Sequence, residues 1–113
     1  MKTLKPWGFE LLLFQGYGYA VKKIFLDDAC STSTHYHERK HETVMVFSGN
    51  LHIKLTTNGS LESLILKAGE TKAIEPLTIH QMSAPEGSVI YFEAQTDHLD
   101  DVIRVADPFG RVP

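Results

Sequence analysis

Apolar and polar residues alternate in short runs along almost the whole chain, and turn-forming residues separate the runs. The first, residues 9–14 (FELLLF), ends at Gln15-Gly16-Tyr17-Gly18. Residues 19–26 (YAVKKIFL) follow and stop at Asp27-Asp28. Residues 31–36 read as extended, because Ser, Thr and Tyr suit a pleated surface. Residues 43–47 (TVMVF) form a continuous apolar run, the pattern of a strand covered on both faces. Residues 51–56 (LHIKLT) alternate, which predicts one wet face. Asn58-Gly59 marks a tight hairpin. Residues 61–66, 71–74, 79–84 and 88–94 complete the series, punctuated by Gly69, Pro76, Pro85 and Gly87. No segment carries a long helical stripe. Strands recurring at about 8–12 residues with turns between them predict an all-β sandwich, jelly roll or small barrel. From His98 the pattern changes, and residues 99–105 with the tail from Asp107 to Arg111 are expected to pack on the barrel as a terminal strand or turn.

A chain of 113 residues fits one domain, spanning 1–113, and buries enough surface to fold without staples. Its net charge of −3 comes without any basic stripe, which argues against nucleic acid as the partner. Cys30 stands alone, so no intrachain disulfide framework exists, and a reducing cytoplasmic setting is expected. Residues 1–6 lack the apolar run of a signal peptide. No stretch approaches the roughly 20 apolar residues of a membrane helix.

The chemistry concentrates in His35-Tyr36-His37, Glu42 and His80. On an extended strand alternate side chains leave the same face, so His35 and His37 point the same way. Glu42 returns beside them on the next strand, and His80 closes the set from a distant one. Three imidazoles and a carboxylate suit a divalent transition metal (Zn, Mn, Fe, Ni or Co) better than Mg or Ca. Four protein ligands leave positions open on a metal that takes five or six. His41, one residue before Glu42, faces the other way, and His52 alternates with Leu51 and Ile53 and points to solvent.

His35-x-His37-(x)4-Glu42-(x)6-Gly49 resembles the first motif of the cupin superfamily, and Gly69…Pro76…His80 resembles the second. The resemblance implies a double-stranded β-helix, the cupin barrel, built around a metal. Ala29 and Leu77 stand where that pattern has glycines, Pro76 comes one residue later than usual, and Ala84 replaces an Asn. A narrower resemblance covers most of the chain. Lys5-Pro6-Trp7-Gly8, Val21-Lys22-Lys23-Ile24, Phe92-Glu93-Ala94-Gln95, Asp100-Asp101-Val102-Ile103-Arg104 and Asp107-x-x-Gly110-Arg111 are similar to the cupin domain of type II mannose-6-phosphate isomerases. His35 stands where that family has Gln, Lys40 where it has Arg, and Thr43-Val44 where it has His-Trp.

Aldose–ketose isomerisation needs a cation to polarise a carbonyl, a base to move a proton between adjacent carbons, and a cationic grip on a phosphate. Lys22 and Glu93 are the candidate proton carriers, and by resemblance Arg104 matches the arginine that serves the isomerase site. Trp7 reads as a plug at the barrel's end. Three functions remain open: a metal-dependent sugar-phosphate isomerase, an iron-dependent dioxygenase, and a non-catalytic sugar- or ligand-binding protein. A homodimer is expected, formed through the FELLLF segment as a strand edge.

Overall fold

The computed structural model describes residues 1–106, and the 107–111 part of the expected tail lies outside the described residues. In chain order the strands are β1 (Lys2–Lys5), β2 (Gly8–Gly16), β3 (Tyr19–Leu26), β4 (Thr34–Tyr36), β5 (Glu42–Ser48), β6 (Leu51–Thr57), β7 (Ser60–Leu66), β8 (Thr71–Ile74), β9 (Ile79–Ser83), β10 (Val89–Thr96) and β11 (Ile103–Ala106). They form two antiparallel sheets, one ordered β1-β2-β3-β10-β5-β8 and the other β11-β4-β9-β6-β7. No helix among the described residues is long and apolar enough to cross a membrane.

The inner faces follow the period-2 pattern. Ile24 and Leu26, Val44 and Val46, Leu51 and Ile53, and Val89 and Tyr91 all turn inward and are buried. Along the same inward rows the chemistry then changes. Past Ile24 on β3 comes Lys22, past Val44 on β5 comes Glu42, and past Tyr91 on β10 come Glu93 and Gln95. One end of the space between the sheets is therefore an apolar core and the other a polar cavity. Trp7, on the β1–β2 turn, is buried and belongs to both, as a plug would.

Four expectations need correction. Residues 2–5 form a strand that pairs with β2, so FELLLF is an interior strand and offers no free edge. Residues 43–47 are covered on one face only: Val44 and Val46 are buried, but Met45 and Phe47 are 41% and 60% exposed. Residues 31–33 do not extend β4; they reach β9 through a lone Ser31–Ser83 bridge and the Thr32 N–H to Met82 carbonyl bond. His37 consequently lies past the end of β4, and not on it. The hairpin at Asn58-Gly59 and the outward His52 and His41 are as expected, with His52 against Glu86 and His41 3.3 Å from Glu75.

Ala29 and Leu77 hold φ of 63° and 68°, the left-handed region that favours glycine. The backbone thus keeps the turn shape of the glycine pattern where the side chain has departed from it. Leu77 is 65% exposed, so its side chain returns little burial for that strain. Its N–H donates to the His37 carbonyl at 2.7 Å, which ties this turn to the polar cavity. Leu77→Gly is expected to raise stability by about 1 kcal/mol, read from the denaturant midpoint.

Candidate metal centre

His35 on β4, His37 just beyond it and His80 on β9 bring one ligand nitrogen each within 4.8 Å of one another. β4 and β9 are paired with His35 directly opposite His80, which sets two rings side by side. Glu42 enters from β5 in the other sheet, its Oε1 3.2 Å from His80 Nε2 and 3.6 Å from His37 Nε2. The three histidines therefore cluster, and Glu42 meets two of them, His37 and His80, from the opposite sheet.

The rings are held for ligation. Nδ1–H of His35 donates to the Ser33 carbonyl at 2.9 Å, that of His80 to the Thr78 carbonyl at 2.8 Å, and that of His37 to the Asp101 carbonyl. Protonation at Nδ1 leaves the Nε2 lone pairs free, the usual support for a metal-binding imidazole. His37 Nε2, His80 Nε2 and Glu42 Oε2 are buried without a hydrogen-bond partner among the described residues. Buried polar atoms are rarely left so. A carboxylate oxygen and two imidazole lone pairs at 3.2–3.6 Å repel unless a cation or proton lies between them. Two donors each about 2.1 Å from one ion lie about 3.0–3.4 Å apart, so the residues fit a metal. Burial pushes the His35 pKa down to about 3, reinforced by His80 and His37, so the ring is neutral and able to ligate. Burial alone would raise the Glu42 pKa, but His37, His80 and the Lys40 ammonium hold it well below the carboxylate range.

Beside these donors lies a cavity of about 320 Å3. Lys22, Glu93 and Arg104 all line it, as do Glu10 and Lys40. Lys22 Nζ donates to Glu10 Oε1 at 3.0 Å and sits opposite Glu93 across the β3–β10 ladder. Burial, then the charge of Glu42, lifts the Glu93 pKa to about 7 against the pull of Lys40 and Lys22. Gln95 links the two regions: Lys40 Nζ donates to its Oε1 at 3.1 Å, and its Nε2 donates to Glu93 Oε1 at 3.3 Å. Because an ammonium only donates, it fixes which way the Gln95 amide points. Arg104 pairs with His35 across β11–β4, and its buried Nε has no hydrogen-bond partner among the described residues.

Glu10, Lys40, Gln95 and Asp101 enter the site although sequence reasoning gave them no role there. Glu10 and Gln95 were open to detection as polar residues at inward positions, one inside FELLLF and one two residues past Glu93. Asp101 carried no such signal. Its carboxylate accepts the N–H groups of Glu38, Arg39 and Lys40 at 2.7–3.0 Å, while its carbonyl accepts from His37. Solvation cost acts upward on its pKa, but those three N–H groups hold it down at about 2. Asp101→Ala is expected to free the 38–40 turn and to weaken metal affinity at least 10-fold in a chelator-competition titration.

No family model and no curated protein matches the chain. Solved structures do share its fold. KdgF from Halomonas sp. superposes with a TM-score of 0.75 at 19% identity, covering 88% of each chain. The capsular polysaccharide assembling protein CapF from Staphylococcus aureus gives 0.81 at 13% identity over 94% of this chain and 34% of that one. Oxalate oxidase in complex with the substrate analogue glycolate gives 0.68 at 20% identity over 78% and 46%. The chain has the cupin fold, a jelly roll of two antiparallel sheets.

Proposed function

We propose that this cupin-fold chain is a metal-dependent aldose–ketose isomerase acting on a sugar phosphate of the mannose 6-phosphate kind. The observation that supports this most is a three-histidine cluster with Glu42 against two of its rings, of which His35, His37 and Glu42 line the same cavity as Glu93, a carboxyl lifted to about 7. An ion held by His35, His37, Glu42 and His80 would supply Lewis acidity toward the carbonyl and hydroxyl oxygens of the sugar.

The chain's own groups do the rest. Glu93, near the midpoint of its titration at neutral pH, takes the proton from the carbon beside the carbonyl and returns it to the neighbouring carbon, while the hydroxyl proton on the first carbon passes to the former carbonyl oxygen. Gln95 occupies one Glu93 oxygen and leaves the other for this work. Lys22, anchored on Glu10, presents ammonium hydrogens to the sugar oxygens. Arg104, whose Nε meets no acceptor among the described residues, grips the anionic group. The cavity volume is at the small end of ligand pockets and suits one compact polar molecule.

Purified protein loaded in turn with Mn, Fe, Co, Ni and Zn should interconvert mannose 6-phosphate and fructose 6-phosphate in D2O. Deuterium should appear at the carbon next to the carbonyl. Thermal stabilisation by these sugars with neither turnover nor exchange would instead make the chain a binding protein.

A further inference from the structure

Tyr91 is the largest fully buried side chain among the described residues. It stands on β10 opposite Ile24 of β3 and Val46 of β5, and it belongs to the apolar cluster. It also lines the cavity that holds Glu93 and the metal donors. A buried tyrosine packs its ring as an apolar body and needs a partner for its O–H. Here the hydroxyl stands outside the bonds that tie Lys22 to Glu10, Lys40 to Gln95 and Gln95 to Glu93. Two other buried hydroxyls of the lining are committed. Thr32 Oγ1 donates to the Ser33 carbonyl at 3.0 Å and accepts from the Met82 N–H at 3.1 Å, and Ser33 Oγ lies 3.0 Å from His35 Nδ1. Burial, then the charges of Glu93, Glu42 and Glu10, push the Tyr91 pKa well above its usual value. It is therefore a neutral phenol set among three carboxylates.

We propose that the Tyr91 hydroxyl carries the oxygen-side proton of the isomerisation, an inference that rests on the isomerase reading above. Two protons move in that reaction. One passes from carbon to carbon through Glu93. The other leaves the hydroxyl beside the carbonyl and ends on the former carbonyl oxygen. Tyr91 gives its hydrogen to the carbonyl oxygen and takes the hydrogen of the neighbouring hydroxyl in return. One O–H bond forms on the sugar, one breaks, and the phenol ends as it began. A hydroxyl suits this exchange because it donates and accepts at once, whereas the ammonium groups of Lys22 and Lys40 only donate. Position suits it too. Tyr91 and Glu93 lie two residues apart on the inward side of β10, roughly 7 Å along the strand, so neighbouring atoms of one sugar can meet both. Strands on both flanks hold β10 in place, which keeps the two groups in register.

Tyr91→Phe keeps the ring and removes only the hydroxyl. With metal content unchanged, its kcat on mannose 6-phosphate should fall by about 10²-fold, with KM within about 3-fold of wild type. Deuterium exchange into recovered substrate in D2O should fall less, because Glu93 still takes and returns the carbon proton. The ratio of exchange to turnover should therefore rise at least about 10-fold, whereas a merely structural defect lowers both together. Glycolohydroxamate, whose adjacent oxygens copy the enediol, supplies a measurement without turnover. Metal-loaded wild type should bind it about 10-fold more tightly than Tyr91→Phe. Turnover in the variant within about 3-fold of wild type, equal loss of exchange and turnover, or equal hydroxamate affinities would each overturn the proposal. Wild-type protein with neither turnover nor exchange would defeat the isomerase reading instead, and the hydroxamate affinities would still decide whether Tyr91 is the oxygen-side donor. If the variant fails to fold, the wild-type tyrosine Raman doublet decides. Tyr91 is the one tyrosine lining the cavity, so hydroxamate should shift the doublet, and an unchanged doublet would overturn the proposal.

Discussion

His80→Ala is expected to lower transition-metal affinity by about 100-fold or more. His80 is 1% exposed and enters the site from β9, the strand that also sets the position of His35. Its Nδ1–H donates to the Thr78 carbonyl, which holds the ring with Nε2 toward Glu42. The loss should exceed the 10- to 100-fold typical of groups that only orient a ligand. Stability supplies a second readout. At a hundredfold excess over its dissociation constant, a metal stabilises the wild-type fold by about 2.7 kcal/mol, on the order of 10 °C for a domain of this size. His80→Ala should shift by a small fraction of that, whereas His52→Ala, on the outer face of the smaller sheet, should behave as wild type. Acid should act in the same direction as the variant. The folded pKa of His35 is about 3, below its unfolded value of 6.5, so its contribution to stability is complete above 6.5 and falls away as pH drops toward 3. Glu42, also depressed, loses its contribution on further acidification. Metal retention and melting temperature should therefore decline together below about pH 6.

Glu93→Gln is expected to reduce isomerase turnover by about 10²- to 10⁴-fold while leaving metal content unchanged. Glutamine keeps an oxygen for the Gln95 Nε2 donor, so the local geometry survives while the proton carrier is lost. The same substitution should stabilise the protein at alkaline pH. The folded pKa of Glu93, about 7, lies above its unfolded value of 4.5. Its contribution is complete below 4.5 and is lost as pH rises through 7, which leaves a buried charge as a cost at pH 8. Removing that cost is worth about 1–3 kcal/mol, the lower part reflecting contact with a wet cavity. Denaturant titrations at pH 5 and pH 8 should show wild type and variant alike at pH 5 and the variant more stable at pH 8. Equal stability at pH 8 would mean that the carboxyl is ionised and satisfied in the fold.

Much of this was legible in the chain because strand chemistry repeats every two residues. His52, Lys54 and Thr56 declared the outer face of β6, and the His35–His37 spacing declared two imidazoles on one side of the chain, since residues close in sequence need little tertiary information to converge. Strand β1 was hidden because Lys2-Thr3-Leu4-Lys5 has almost no apolar alternation; pairing with β2 makes it a strand. The TVMVF run misled for a physical reason: an apolar residue looks the same in sequence whether a second sheet or solvent lies over it. Lys40 and Asp101 were out of reach because their roles arise where the 38–40 turn meets the 98–101 turn, about 60 residues away along the chain. Ala29 and Leu77 looked like broken glycine positions, yet the backbone there keeps its left-handed turn.

Elemental analysis of protein purified without chelators, beside its His35→Ala and His80→Ala variants, probes the metal centre most directly. One transition-metal ion per wild-type chain, absent from both folded variants, is the expected result. Wild-type protein that takes up no stoichiometric metal under saturating conditions, or variants that retain it, would contradict the centre.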